Sequence, residues 1–381
     1  MIIYLHNKLN IISIIIHLFF VIMIENLIEN ENYKYEIYDK FTCEQNIDRI
    51  KFYKNNLKNP KIDLLSAGYH LNKETQEKTG AIFFFQISKD HNLIPLKEEN
   101  IILDYGILDI KFSNKDNKYI FTANSDYSYT VFDLINNSID KYYLYNEENK
   151  EEKNKITNDI IEIDKNEQKI IFGTNDGNVF INALNMNKNI HTIKNAHDYG
   201  IWSIKLLESD ENIYLTGGED GKIKLWDIRS NSKYININDK SYQSSINYID
   251  MLKCDLSKNI LLTGSYDEKI IFFDIRNFPK ELKCVKTEHS TWDIKQESIK
   301  DKNLLFISSI YEGFNIWEIN NNKEYDMKHI LRLPLTKDKE IFHKTIVYGV
   351  DTEKSIKNNS IDVLSCSFYD NLMIYWNYSL I

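Results

Sequence analysis

The sequence predicts an all-β fold, a seven-bladed β-propeller whose ring is closed by an N-terminal outer strand in the last blade. Three observations predict it. The segments Leu215–Arg229 (LTGGEDGKIKLWDIR) and Leu262–Arg276 (LTGSYDEKIIFFDIR) agree, identically or by close similarity, at 12 of 15 positions, 47 residues apart. In five copies of this pattern an acidic turn residue lies six positions before the position of the last large ring: Asp126/Phe132, Asp176/Asn182, Asp220/Trp226, Asp267/Phe273 and Asp370/Trp376. Each copy is preceded by a further apolar, strand-length stretch, which gives the four short strands per unit that a propeller blade needs.

The first unit is degenerate, Ile62–His70 followed by Gly80–Ile87. The second pairs Phe121–Asp126 with Val131–Asp133, and the third Phe172–Asp176 with Phe180–Asn182. The fourth and fifth are the near-duplicates. The sixth joins Phe306–Glu312 to Ile316–Glu318, and the seventh Leu364–Asp370 to Tyr375–Asn377. The innermost strands align on Ile50, Ile110, Ile161, Ile204, Ile249, Ile294 and Val350. Outer strands are short and alternating, as in Tyr234–Ile237. The seventh unit ends the chain one strand short, so its outer strand must come from Tyr33–Phe41, a closure that removes open sheet edges. Polar runs at Glu147–Lys155, Asn320–Lys328 and Glu353–Ser360 read as lengthened, solvated loops. Four strands per unit, about 45 to 50 residues per unit and a Trp-Asp ending are the signature of WD repeats.

Composition agrees with one large folded domain over residues 31–381. Apolar residues make up 43% of 381, far too many for a disordered chain. Glycine is scarce, 12 against 45 asparagines, and Asn is the other residue that tolerates left-handed turns. The formal net charge of -9 opposes sequence-independent nucleic-acid binding, which needs a basic surface, and favours a cationic partner. Cys43, Cys254, Cys284 and Cys366 form no CxxC pair, so neither a zinc site nor a secreted disulfide framework is expected, and a reducing, cytoplasmic compartment fits. No metal, cofactor or membrane contact is expected. Residues 1–30 form an apolar extension outside the ring. Its run Ile11–Ile24 falls short of the roughly 20 residues that span a bilayer, and no small-x-small cleavage site follows it. An unstructured tail, or translation starting at Met23, accounts for it better than a signal.

His197, Asp220 and Trp226 in blade 4 read as a buried structural hydrogen-bond network, and Asp267 and Asp370 as structural turn acids. His289 before blade 6, with Glu312 and Trp317, is the same case. No GxSxG, HExxH or phosphate-binding loop occurs, so an active site would have to be assembled from several blades. Two residues before the aligned core positions, and so pointing the same way on the pleat, stand Asp48, Leu108, Asp159, Trp202, Asn247, Trp292 and Tyr348, with Arg49, Asp109, Ser203, Tyr248 and Asp293 beside them. These residues gather two Trp, a Tyr and several carboxylates at one channel mouth. Packing of Trp202 and Trp292 between blades is the alternative.

The segments Leu262–Ile270, Phe273–Asn277, Thr291–Lys295, Glu312–Phe314, Val347–Asp351 and Ser365–Asp370 with Trp376 resemble the diphthine methyl ester hydrolases, WD-repeat proteins of diphthamide biosynthesis, over roughly residues 43 to 378. Phe273 departs from the usual Trp. The resemblance implies hydrolysis of the methyl ester of methylated diphthine on translation elongation factor 2, giving diphthine and methanol without a cofactor. Such a site needs an aromatic and acidic surface for the trimethylammonium group, which Trp202, Trp292, Tyr348 and Asp48 would supply. It also needs a base, for which Asp48, Asp109, Asp293 and His289 are candidates among which the residues leave the choice open. A non-catalytic scaffold that binds a protein partner on the same face is the other reading.

Overall fold

The computed structural model describes residues 33–53, 62–75, 77–113, 117–144, 158–164, 166, 168–184, 188–230, 233–254, 258–320, 324–335, 342–355 and 359–381. They form seven antiparallel sheets, six of four strands and one of five. The innermost strands are Asn46–Phe52, Ile107–Phe112, Asn158–Ile163, Ile201–Leu207, Ile246–Met251, Thr291–Ile299 and Val347–Ser355, one in each of blades 1 to 7. Each packs on the next, and the first packs on the last, so the ring is closed. The expected class and blade count hold. The apolar extension 1–30 lies outside the described residues, as does most of the Glu147–Lys155 run. Among the described residues no helix is long and apolar enough to cross a membrane.

The core is seven cores. Each hydrophobic cluster draws on two neighbouring blades, and the seven clusters correspond to the seven interfaces. This explains why middle strands such as Ile260–Ser265 are buried along their whole length: both faces of the sheet meet another blade. Outer strands are the least covered, and Ser138–Tyr143 is half-buried or exposed throughout. The aligned core positions Ile50, Ile110, Ile161, Ile204, Ile249, Ile294 and Val350 are all buried. Burial of each such side chain stabilises the fold by about 1.5–3 kcal/mol.

Closure runs through the outer strand of blade 7, Tyr33–Thr42, one residue longer than expected, which pairs antiparallel with Leu372–Leu380. Its side chains reach both neighbouring blades. The Tyr33 hydroxyl donates to the Ile330 carbonyl of blade 6 at 2.6 Å. The Leu93 amide of blade 1 donates to the Asp39 carboxylate at 2.6 Å.

One expectation needs correction. The Glu353–Ser360 run is not a lengthened loop at its ends, because Glu353 to Ser355 continue the inner strand and pair with Asp362 to Ser360. Asn takes the left-handed conformation as expected, with positive φ at Asn117, Asn137, Asn195, Asn359 and Asn371 against Gly177, Gly221 and Gly313 among the described residues. The residue after the turn acid has positive φ in blades 2 to 7, and it is Tyr127, Gly177, Gly221, Glu268, Gly313 and Asn371. Tyr127 and Glu268 hold a conformation that costs side chains with a Cβ.

Candidate functional site

Every inner strand carries a β-bulge at the same place. The register slips between Ile47/Arg49, Ile107/Asp109, Asn158/Ile160, Ile201/Ser203, Ile246/Tyr248, Thr291/Asp293 and Val347/Gly349. The extra residues are thus Asp48, Leu108, Asp159, Trp202, Asn247, Trp292 and Tyr348, the set chosen by position in the sequence. A bulge breaks the period-two alternation and re-aims its side chain. Of these, Trp202, Asn247 and Trp292 line the channel, aimed there by the bulge and not by the plain pleat of the strand.

Trp202, Trp292 and Tyr348 form a half-buried aromatic crescent. The Trp202 and Trp292 rings lie 5.7 Å apart between centroids, and those of Trp292 and Tyr348 4.7 Å apart in an edge-on arrangement. Tyr348 continues to Phe368 at 5.2 Å and Phe368 to Tyr69 at 5.0 Å. The acidic end of the crescent is on blades 1 and 2. The Arg49 guanidinium donates from Nε to Asp109 Oδ1 at 2.8 Å and from Nη1 to Asp48 Oδ1 at 3.2 Å. Asp109 also accepts from the Ile161 amide at 3.2 Å.

The two carboxylates differ because their surroundings differ. Burial pushes Asp48 up to about 6; Arg49 opposes the shift and Asp109 adds to it. Burial works on Asp109 too, but Arg49 and Lys111 outweigh it and hold it below its ordinary value. Asp48 is thus raised and Asp109 lowered, although both contact the same guanidinium. Burial pushes the thiol of Cys366, close enough to feel the charge of Asp48, far up.

Below the mouth, the residue after each aligned core position is charged and the side chains meet across the channel: Lys51, Lys111, Glu162, Lys205, Asp250, Lys295 and Asp351. Lys111 pairs with Glu162 at 3.0 Å, and Lys205 with Asp250 at 2.9 Å and Glu162 at 3.5 Å. The channel measures about 800 Å³ with its solvent-open mouth, and is lined by both layers, including Arg49, Asp109, Trp202, Asn247, Trp292 and Asp293. Sequence reasoning missed this ring, although an unbroken series of seven charges one residue beyond the core position signals it.

Of the predicted residues, the structure gathers Asp48, Asp109, Asp293, Trp202, Trp292 and Tyr348 at the channel. Asp293 faces Lys295 at 3.8 Å. His289 is not among them. Its ring lies 5.7 Å from that of His329 on the outer strand of blade 6, and Ser290, not His289, donates to Glu312 at 3.1 Å. A side chain directed at the outer strand cannot serve the channel.

The blade 4 network is present and includes Thr216. Trp226 Nε1 donates to Thr216 Oγ1 at 2.8 Å, Thr216 Oγ1 meets His197 Nε2 at 2.7 Å, and His197 Nδ1 meets Asp220 at 2.9 Å. Burial lowers the His197 pKa, so the ring is neutral and accepts at Nε2 while donating at Nδ1. Blade 7 has a partial counterpart that sequence reasoning missed, His343 Nε2 with Ser365 Oγ at 2.9 Å, and there Asp370 accepts from the Lys344 amide at 3.0 Å. In blade 5 the Tyr242 hydroxyl meets Thr263 in place of a His, and Asp267 accepts from the Gln243 amide at 2.8 Å. Among the described residues no group of three or more His, Cys, Asp or Glu is arranged to hold a metal ion.

Comparison with known proteins agrees with the fold. The family "WD domain, G-beta repeat" matches residues 187–227, which include the blade 4 network. A Dictyostelium discoideum protein named "Diphthine methyltransferase homolog" is 25% identical over 305 residues, 73% of this chain and 78% of that one. The mitogen-activated protein kinase kinase kinase A of the same organism is 44% identical over 45 residues, 12% of this chain and 5% of that one, about the length of one blade. Among solved structures, a chain of the mitotic checkpoint complex superposes with TM-score 0.62 at 13% identity, covering 90% of this chain and 95% of that one. The WD40 propeller domain of Doa1 superposes with TM-score 0.60 at 14% identity, covering 90% and 96%. Fold, repeat and relative together identify the chain as a WD-repeat β-propeller similar to a diphthine-related protein.

Proposed function

We propose that the protein hydrolyses the methyl ester of methylated diphthine on translation elongation factor 2. The observation that carries this reading is the junction of an aromatic crescent with a buried carboxylate of raised pKa. The substrate joins a trimethylammonium group and a methyl ester on one carbon. Trp292 and Tyr348, in edge-on contact at 4.7 Å, form one aromatic surface on which the cation rests, and the ester then lies toward Asp48 and Arg49. Asp48 takes a proton from water as its oxygen attacks the carbonyl carbon. Arg49 stabilises the tetrahedral oxyanion, the bond to the methoxy oxygen breaks, and the proton leaves with methanol. The similarity to a diphthine-named relative over 73% of the chain supports the substrate class.

The test is methanol release from elongation factor 2 bearing methylated diphthine, by purified protein without a methyl donor. Release that Asp48→Asn abolishes in a folded protein is the expected result. No release, or methylation that depends on an added methyl donor, would overturn the reading. A scaffold role is the second reading, favoured by Tyr266, Tyr311 and Tyr369, exposed on consecutive blades beside the turn acids. Stable binding of unmodified elongation factor 2 without turnover would support it.

A further inference from the structure

Going round the channel waist from blade 7, the charged residues are Asp351, Lys51, Lys111, Glu162, Lys205, Asp250 and Lys295. Opposite charges can alternate around an even ring, but a ring of seven must place two like charges side by side. The frustrated pair here is Lys51 and Lys111. Among the described residues each lysine shares the carboxylate it pairs with, and Asp109 and Asp293, which also act on them, face Arg49 and Lys295. Asp351 is shared by Lys51 at 3.8 Å and Lys295 at 3.7 Å, and Glu162 by Lys111 at 3.0 Å and Lys205 at 3.5 Å. Both lysines line the open channel.

The electrostatics of Lys51 agree with a missing anion. Burial lowers it to about 8, and the charges of Lys295 and Lys111 act in the same direction, against Asp351 and Asp293. An ammonium group held in that surrounding gains charge-assisted hydrogen bonds when an anion arrives, and the low-dielectric walls strengthen them.

We infer that the channel waist binds a small oxyanion, phosphate or carboxylate, between the ammonium groups of Lys51 and Lys111. The inference stands apart from ester hydrolysis at the mouth, because it uses the frustrated waist and not the aromatic crescent. Phosphate and carboxylate share the chemistry that two adjacent ammonium groups recognise, and the test separates them.

The full chain is titrated calorimetrically at pH 7 and low ionic strength, with inorganic phosphate in one arm and acetate in the other. One saturable equivalent is expected in at least one arm, weakened ten-fold or more by Lys51→Met and by Lys111→Gln, and unchanged by Lys258→Met at an exposed position. The arm that saturates names the anion. Lys111 is 40% exposed, so its variant carries the test if Lys51→Met does not fold. As a second readout, the pH midpoint for acylation of Lys51 by acetic anhydride, followed by peptide mass, rises when the bound anion is present. No saturable binding of either anion, binding indifferent to both variants, or an unmoved acylation midpoint would overturn the inference.

Discussion

Trp202 and Trp292 stand 5.7 Å apart although they belong to blades 4 and 6. Blade 5 lies between them and places Asn247 at the same position, where its side chain donates to the Thr291 carbonyl at 2.8 Å. The two rings are held by bulges, which sets their direction independently of the strand pleat. The two indoles thus meet across blade 5, and both line the channel.

The cation-binding half of the proposal is tested by Trp292→Ala. A ring face contributes about 0.5–2 kcal/mol to a bound cation, so the loss should be roughly ten-fold in kcat/KM. Trp292→Phe should recover part of it. Tetramethylammonium should inhibit the wild-type protein more than the Ala variant, and equal inhibition would sink the cage.

The seven units, the buried core position of each inner strand and the closing N-terminal strand were legible in the sequence, because period-two burial and turn chemistry are local. The mouth residues were found through an argument about the pleat that the bulges overturn. Those slips depend on pairing with the next strand, so no single strand shows them. His289 was misplaced because the distance from a loop to the next blade cannot be read from spacing. His343 was missed for the same reason: it precedes its hydrogen-bond partner Ser365 by 22 residues, where His197 precedes Thr216 by 19.

Thr216→Val should destabilise the fold without touching the channel. The hydroxyl serves both Trp226 Nε1 and His197 Nε2, and removing it leaves two buried polar groups unpaired. The expected cost is about 1–3 kcal/mol, measured by denaturant unfolding. An unchanged midpoint would show that the network contributes nothing.

The same network makes the fold sensitive to acid. Burial raises the Asp220 pKa, but the hydrogen bond from His197 and those from the Asp198 and Lys222 amides outweigh it and carry the carboxyl down to about 2. A depressed acid contributes stability that is present above its unfolded value near 4 and lost as pH falls through about 2. His197, lowered by burial, adds a loss that begins as pH falls below 6.5, where the unfolded ring takes up a proton. Asp220→Asn should lower the melting temperature at pH 7 and flatten its fall below pH 4. A fall as steep as that of the wild type would place the acid sensitivity elsewhere.

Removal of residues 1–42 should abolish soluble expression, while removal of 1–30 should leave the melting temperature unchanged. The first truncation exposes the edge of Leu372–Leu380 and strips the Tyr33 and Asp39 contacts to both neighbouring blades. A cooperatively melting protein that begins at Cys43 would refute closure by this strand.

Asp48→Asn should separate stability from activity. The folded pKa of Asp48 is raised to about 6, so the fold binds the proton more tightly than the unfolded chain does. That contribution is complete below about pH 4 and is lost as pH rises through about 6, leaving an ionised, buried carboxylate that weakens the fold at neutral pH. Replacing it with Asn removes the charge. The loss of the 3.2 Å contact with Arg49 opposes this gain, and Arg49 keeps Asp109 at 2.8 Å. The variant should therefore be more stable than the wild type at pH 7.5, by the order of 1–3 kcal/mol, with the difference vanishing near pH 4. Its ester hydrolysis should fall by about 10²–10⁴-fold. In the wild-type protein kcat/KM should decline as pH falls through about 6, where the base takes up its proton. A variant that is both less stable and fully active would show that Asp48 only holds Arg49 in place.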